Sequence, residues 1–431
     1  MYVLYSLTLA IAFCALLPYF AYQALVNRKY VGSVFQRLGR LPVVLRSPNP
    51  AIWVHAVSVG EALTAIPLIE SLRTRFPGYR VIVSTTTATG QAVAKSRIAA
   101  ADGFCYFPFD WRFSVIGSLD TIRPSLVILM ESELWPNFLR TCSDRRIPVV
   151  VANGRISDRS FARSMRFRSL VQHVYRQVSY FAMQSEVDAE RARLLGARPE
   201  SISVCGNMKY DVSEADTAPV VDQILQDLSS VPLVIAGSTS AGEEELILAA
   251  FATLRRTHGL EKTRLLIAPR HPQRFDEVAR LLEASGLSYV RRLSLSPETP
   301  AEVDAILLDS IGELARLYRY AAVVFIGGSL VPKGGHNILE AALHGRPIVV
   351  GPFMENFREM TQEFLERKAL VQLRARTDRE LVVELSQALA RILTDKAWAS
   401  RLSVNAQAAV EANRGATGRH VAIIDRFIMS T

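Results

Sequence analysis

The chain has 431 residues, 49% of them apolar and 21% charged, with 50 Lys and Arg against 41 Asp and Glu for a formal charge of +9. That length exceeds one ordinary core and suffices for two domains, and the apolar content excludes global disorder. Four cysteines, Cys14, Cys105, Cys142 and Cys205, stand far apart with no Cys-x-x-Cys and no Cys/His cluster. This excludes a disulfide-stapled module, argues against a zinc or iron–sulfur site and fits a reducing compartment.

Residues 1–27 carry no charge, and 2–25 are mostly Leu, Ala, Val, Ile, Phe and Tyr. At ~1.5 Å per residue this run is long enough to cross a ~30 Å hydrocarbon core, so residues 1–27 are expected to form a single retained membrane anchor. Arg28, Lys29, Arg37, Arg40 and Arg46 all precede the first acidic residue, Glu61, so more than half of the net charge lies beside the apolar run. A basic flank on the C-terminal side of the anchor places the rest of the chain in the cytoplasm. Pro18 and Tyr19 leave a monotopic insertion open. The stretch 30–42 mixes Val, Phe and Leu with Arg and carries no acid, which suits a segment on anionic headgroups or, alternatively, a solvated linker. No basic run with interleaved aromatics follows, so nucleic acid is not an expected partner.

From residue 51 short apolar runs alternate with amphipathic stretches. Runs at 52–56, 81–84, 126–130 and 149–152 read as strands, and a second series follows at 233–237, 265–268, 305–308, 323–327 and 348–351. This is the pattern of parallel sheets wrapped by helices, repeated in two successive domains. The polar, Asp- and Pro-containing stretch 212–230 reads as the linker between them. The expected organisation is therefore an anchor at 1–27, a basic juxtamembrane segment at 28–50, an α/β domain at 51–211, the linker, and a second α/β domain with C-terminal helices at 231–431. Ligands of doubly wound sheets bind beyond the carboxyl ends of the strands, so the loops after the strands are the candidates.

After the first run comes Ser58-Val-Gly-Glu61. S-x-x-E is a capping box, and the same Glu61 at a strand-to-helix junction is also a carboxylate that the helix start keeps ionised and able to accept a proton. Both readings stand together. The third run ends in Glu131-Ser-Glu-Leu-Trp-Pro136, and acids there are costly unless paired, hydrogen-bonded or facing a polar site. A polar turn capping the next helix is the structural alternative. Asn153-Gly-Arg155 and Ser157-Asp-Arg159 add cations to the same rim or merely close a turn. Gly206-Asn-Met-Lys-Tyr-Asp211 puts Lys209 where the chain leaves the first domain, either as a solvated side chain or as a counter-charge for phosphate.

In the second half, Gly237-Ser-Thr-Ser-Ala-Gly-Glu243 joins a strand to a helix and offers amides to an anion, or is simply a well-capped helix. Pro269-Arg-His-Pro272 supplies Arg270, whose fork matches phosphate or carboxylate. Phe325-Ile-Gly-Gly-Ser329 and Pro332-Lys-Gly-Gly-His-Asn-Ile-Leu-Glu340 combine two glycine pairs, a basic residue, Asn337 and Glu340 in one loop. That is more than a helix cap requires and reads as a nucleotide site, with amides toward phosphate and the carboxylate toward ribose hydroxyls. No Walker motif, D-x-D or H-E-x-x-H is present, so no tightly bound metal is expected.

Together, the apolar N-terminus, Ser58-Val-Gly-Glu61, Glu131-Ser-Glu-Leu-Trp-Pro136, Asn207-Met-Lys-Tyr-Asp211, Ala268-Pro-Arg-His-Pro272 and Gly334-Gly-His-Asn-Ile-Leu-Glu340 resemble the transferases of 3-deoxy-D-manno-octulosonic acid (Kdo) in lipopolysaccharide synthesis. They occur in that family's order and cover nearly the whole chain. The resemblance implies a GT-B fold, two Rossmann-like domains facing across a cleft. It further implies inverting transfer of Kdo from CMP-Kdo to a lipid A precursor, lipid IVA, at the cytoplasmic face of the inner membrane among anionic lipids. Carried onto this sequence, it makes Glu61 the general base and gives Glu131 and Lys209 the task of stabilising the transition state, the choice of Glu131 over Glu133 resting on motif alignment. The CMP-binding positions it implies are Pro269, Arg270, Ser310, Ile311, Gly312, Asn337, Ile338, Leu339 and Glu340. The competing readings are another membrane-associated GT-B sugar-nucleotide transferase, a sugar-nucleotide epimerase, which has no use for an apolar anchor, and a membrane-tethered binding protein for acidic glycolipids, which leaves the nucleotide loop without a purpose.

Overall fold

In the computed structural model the described residues are 2, 5–11, 13–15, 32–211, 231–295, 303–375 and 377–429. Residues 16–27 of the expected anchor and the expected linker at 212–230 lie outside them. The chain divides into two compact units, one of Met1–Asp211 with Asn413–Thr431 and one of Val212–Ala412.

The first unit is built on seven parallel strands, β1 (Ala51–His55), β2 (Arg80–Thr85), β3 (Gly103–Tyr106), β4 (Pro124–Met130), β5 (Val149–Gly154), β6 (Tyr180–Met183) and β7 (Ile202–Val204), in the order β3-β2-β1-β4-β5-β6-β7. The second carries β8 (Leu233–Thr239), β9 (Arg264–Pro269), β10 (Tyr289–Arg291), β11 (Ala305–Leu307), β12 (Val323–Ile326), β13 (Ile348–Val350) and β14 (Val371–Gln372), in the order β10-β11-β9-β8-β12-β13-β14. Both sheets are doubly wound. The strand order reverses beside β1 and β4 in one and beside β8 and β12 in the other, and the crevice outside such a switch point is where ligands of this architecture bind.

The helices used below are α1 (Val59–Thr64), α2 (Ile66–Arg75), α3 (Pro136–Asp144), α4 (Asp158–Arg166), α5 (Glu244–His258), α6 (Leu339–Leu343) and α7 (Ala416–Ile428). Strand β1 is apolar at nearly every position because both of its faces are covered. Ala51 and Trp53 enter one core with Phe107, Ile122 and Phe138, while Ile52 and Val54 enter the other with Leu68, Ile69 and Leu72 of α2.

Two expectations are corrected. Helix α7 belongs to the first unit rather than to the domain at 231–431, because Ile423, Ile424 and Ile428 complete the core formed by α2 and β1. Burial of a large aliphatic side chain contributes roughly 1.5–3 kcal/mol, so this face is strongly held. The segment from 32 onward is not a separate juxtamembrane collar. Leu41 and Leu45 are buried in the first core, and Arg37 lies over the rings of Tyr106 and Phe109 and donates to the Thr86 carbonyl, although Arg40, Val43 and Val44 stay exposed. Among the described residues, which leave out 16–27, no helix is long and apolar enough to cross a membrane. The described N-terminal residues touch the first unit. The Asn137 side chain of α3 donates to Ser6 Oγ at 3.1 Å, and Phe13 meets the edge of Trp111 at 4.8 Å.

Candidate functional site

Glu61 sits at the start of α1, directly beyond β1. Ser58 caps the helix, accepting the Glu61 amide at 3.4 Å, while the Glu61 carboxylate accepts the Ser58 hydroxyl at 3.0 Å and the Val57 amide at 2.8 Å. The capping box is therefore real, but the helix start does not keep the acid at an ordinary carboxylate pKa. Burial, with the nearby charges of Glu131 and Glu133, pushes Glu61 up to about 7 against the Val57 and Ser58 hydrogen bonds. A carboxylate poised near neutrality is a stronger base than an exposed one and suits proton abstraction from a hydroxyl.

Beyond the adjacent β4, Glu131 adopts a left-handed backbone with φ 59° and donates its amide to the Ala152 carbonyl at 2.9 Å. Its side chain meets Lys209 Nζ at 3.0 Å, with 18% of the Glu131 side chain and 32% of the Lys209 side chain exposed. The structure thus brings Glu61, Glu131 and Lys209 to one end of one sheet. It couples Glu131 rather than Glu133 to the lysine; the Glu133 carboxyl is pushed up by burial. Of the rim residues, Ser157 caps α4, Asn153 is fully buried and Arg159 is exposed.

In the second unit, Arg270 follows β9 and Glu340 lies in the first turn of α6. Burial raises the Glu340 carboxyl, opposed by the Arg270 charge and by a hydrogen bond with Asn337, whose Oδ1 also accepts the Leu339 amide at 3.0 Å. His336 is pushed down to about 4 by burial and by Arg270 and His271, which keeps it neutral near pH 7. Arg270 is therefore the cation of a cluster with Asn337, His336 and Glu340. Ile338 and Leu339 are buried beneath it, and Pro269 closes β9. The turn Ser310-Ile-Gly312 is held separately, through the Ser310 hydroxyl to Glu313, which pairs with Arg292 at 2.5 Å. Ile311 is 76% exposed.

Several of the loop amides that could face phosphate are already occupied. Glu243, fully buried, accepts the amides of Ser240 (2.8 Å), Gly328 (2.6 Å), Ser329 (2.8 Å) and Leu330 (2.7 Å). It ties the loop after β8 to the loop after β12, and Gly327 permits the approach, since a Cβ there would stand 2.4 Å from the Ser238 carbonyl oxygen. Glu243 in the sequence reads as an acid at a helix start; nothing local reveals that it fills an anion nest 85 residues on. Among the described residues no group of three or more His, Cys, Asp or Glu side chains could hold a metal ion.

Doubly wound sheets with ionisable groups gathered beyond their switch points define a two-domain α/β enzyme architecture. Residues 32–212 match the family described as 3-deoxy-D-manno-octulosonic-acid transferase (kdotransferase). The Haemophilus influenzae 3-deoxy-D-manno-octulosonic acid transferase is 32% identical over 88% of this chain and 88% of its own, and the Bordetella pertussis transferase of the same name is 32% identical over 91% of each. The chain belongs to this transferase family and is a glycosyltransferase. A putative UDP-N-acetylglucosamine 2-epimerase from Listeria monocytogenes shares the fold, with a TM-score of 0.55 at 15% identity over 89% of this chain and 98% of its own.

Proposed function

We propose that this glycosyltransferase moves Kdo from CMP-Kdo to a phosphorylated lipid A precursor, lipid IVA, with inversion at the anomeric carbon and Glu61 as general base. The observation that carries the reading is the Glu61 carboxylate, raised to about 7 beside the Glu131–Lys209 pair. Glu61 takes the proton of the acceptor hydroxyl as its oxygen attacks the anomeric carbon and the bond to CMP breaks. Glu131 offers negative charge to an oxocarbenium-like centre, and Lys209 balances negative charge on the acid sugar and the departing phosphate. In the second unit Arg270 is the cation for the nucleotide phosphate and Glu340 the acceptor for ribose hydroxyls.

The same reading places the enzyme at the cytoplasmic face of a membrane rich in anionic lipid. Supporting it are the uncharged apolar residues 1–27 and helix α4, which has no buried residue and exposes Arg159, Arg163 and Arg166 beside Phe167, itself 59% exposed. A basic surface with interleaved apolar side chains suits phosphorylated, insoluble substrates.

The test is transfer from freshly generated CMP-Kdo to tetra-acylated lipid A precursor in detergent, comparing wild type with Glu61→Gln and Glu61→Ala, each shown to be folded and to bind CMP. The expected loss is about 10²–10⁴-fold in both variants. Active variants would remove Glu61 as the base, and an inert wild type would remove the proposed donor or acceptor.

A further inference from the structure

The segment that carries Lys209 is gripped by the end of the chain. Helix α7 holds it at three points. Asp211 accepts the Gly415 amide at 2.7 Å and the Thr417 amide at 2.6 Å, and Arg419 Nε donates to the Cys205 carbonyl at 2.8 Å. The third contact runs through His420. Its Nδ1 lies 2.7 Å from the Ala416 carbonyl, which can only accept, so the proton is on Nδ1 and Nε2 is free to accept the Asn153 amide at 2.9 Å. Asn153 in turn uses Oδ1 to accept the Met208 amide, also at 2.9 Å, one residue before Lys209. Asn153 and His420 are both fully buried.

We propose that His420 is a positioning residue for Lys209, acting through Asn153. Asn153 has φ 54°, a left-handed backbone that asparagine tolerates better than other non-glycine residues. The His420 ring accepts the amide of that residue and fixes its side chain where it meets Met208. The same stretch of β5 anchors the other half of the pair, since the neighbouring Ala152 carbonyl accepts the Glu131 amide at 2.9 Å. One hydrogen-bonded path therefore sets the separation of Glu131 and Lys209. Gly206 lets the arrangement close; its φ is 81°, and a Cβ there would stand 2.8 Å from Arg419 Nη2. The inference rests on the proposed role of Lys209 in transfer.

The experiment is a double-mutant cycle on the full chain in detergent, with kcat, KM for CMP-Kdo and thermal midpoint measured for wild type, His420→Ala, His420→Gln, Lys209→Ala and both double variants. The His420→Ala change is expected to lower kcat about tenfold with KM nearly unchanged, and to lower it less than about twofold once Lys209 is alanine. The amide oxygen of His420→Gln can still accept the Asn153 amide, so most of the kcat returns in that variant. If His420→Ala fails to fold, the glutamine variant carries the test, because its remaining kcat deficit must vanish in the Lys209→Ala background. Equal fold-losses in the two backgrounds would overturn the positioning role while leaving Lys209 catalytic. A Lys209→Ala variant with unchanged kcat would overturn the proposed role of Lys209 itself, and the positioning role with it.

Discussion

Glu131 reaches Lys209 at 3.0 Å from a backbone held at φ 59°, so one half of the only lysine–carboxylate pair beyond the first sheet among the described residues is built on a strained residue. A part-buried ion pair contributes little net stability because desolvation offsets its attraction, whereas a left-handed non-glycine residue costs of order 1 kcal/mol or more. The balance favours a functional role for the side chain over a structural one. Glu131→Gly is therefore expected to raise the stability of the first unit by roughly 1 kcal/mol and to lower Kdo transfer by at least tenfold. Urea denaturation and kcat measured on one preparation decide the matter. A variant both less stable and fully active would reverse the argument.

With Glu61 as the proposed base, the reaction is expected to depend on pH. With its carboxyl raised to about 7, the fraction able to accept a proton grows as pH rises through that value, so log kcat/KM should climb with a slope near one below pH 7 and flatten above it. Folding has the opposite sign. The folded state binds the Glu61 proton more tightly than the unfolded chain, so this group's stabilisation is complete below pH 4.5 and is lost as pH rises through about 7. Glu61→Gln cannot ionise. Relative to wild type its thermal midpoint should rise between pH 5 and pH 8.5, and a constant difference across that range would count against a raised carboxyl.

The parallel sheets were legible in the sequence because strands such as β1, β4, β8 and β9 are nearly continuous apolar runs bounded by turns. The edge strands were not. Strand β14 has two residues and β10 three, all half-buried, so neither carries a periodic signal. Glu61 was legible as a cap because that role follows from S-x-x-E after a strand. Its elevated pKa was not, since that comes first from burial and then from the charges of Glu131 and Glu133, set by the tertiary fold. The pairing of Glu131 with Lys209 spans 78 residues, and the return of α7 to the first sheet depends on which core its apolar face completes. Composition marks such a face without naming its partner.

Glu243 gives a prediction about the architecture of the second unit. Its two oxygens satisfy four amides in the loops after β8 and β12, and burial pushes its carboxyl up against those four bonds. Glu243→Ala leaves the four donors without their acceptor, at about 1–3 kcal/mol for each that water cannot reach. The expected result is a loss of at least 3 kcal/mol in urea denaturation, with CMP affinity falling because Asn337 and Glu340 follow the released loop. Stability within 1 kcal/mol of wild type would mean that water or another group serves these amides.

Arg270 is the cation of the second unit's cluster because His336, held near 4, is neutral at assay pH. With Glu243 holding the amides of Ser240, Gly328, Ser329 and Leu330, Arg270 offers a nucleotide phosphate a fork of matching geometry. Arg270→Ala is expected to weaken CMP binding by about 10–100-fold, the loss of one charge-assisted interaction of roughly 1.5–3 kcal/mol. Arg270→Lys keeps the charge without the fork and should fall between the two. Titration calorimetry with CMP reads the affinity, and the pH profile of transfer separates this site from the first. Arg270→Ala should raise KM for the donor without moving the limb near pH 7 that is expected of Glu61. Unchanged CMP affinity in Arg270→Ala would shift phosphate recognition to another group, with Lys333 on the same loop as Asn337 the next to replace.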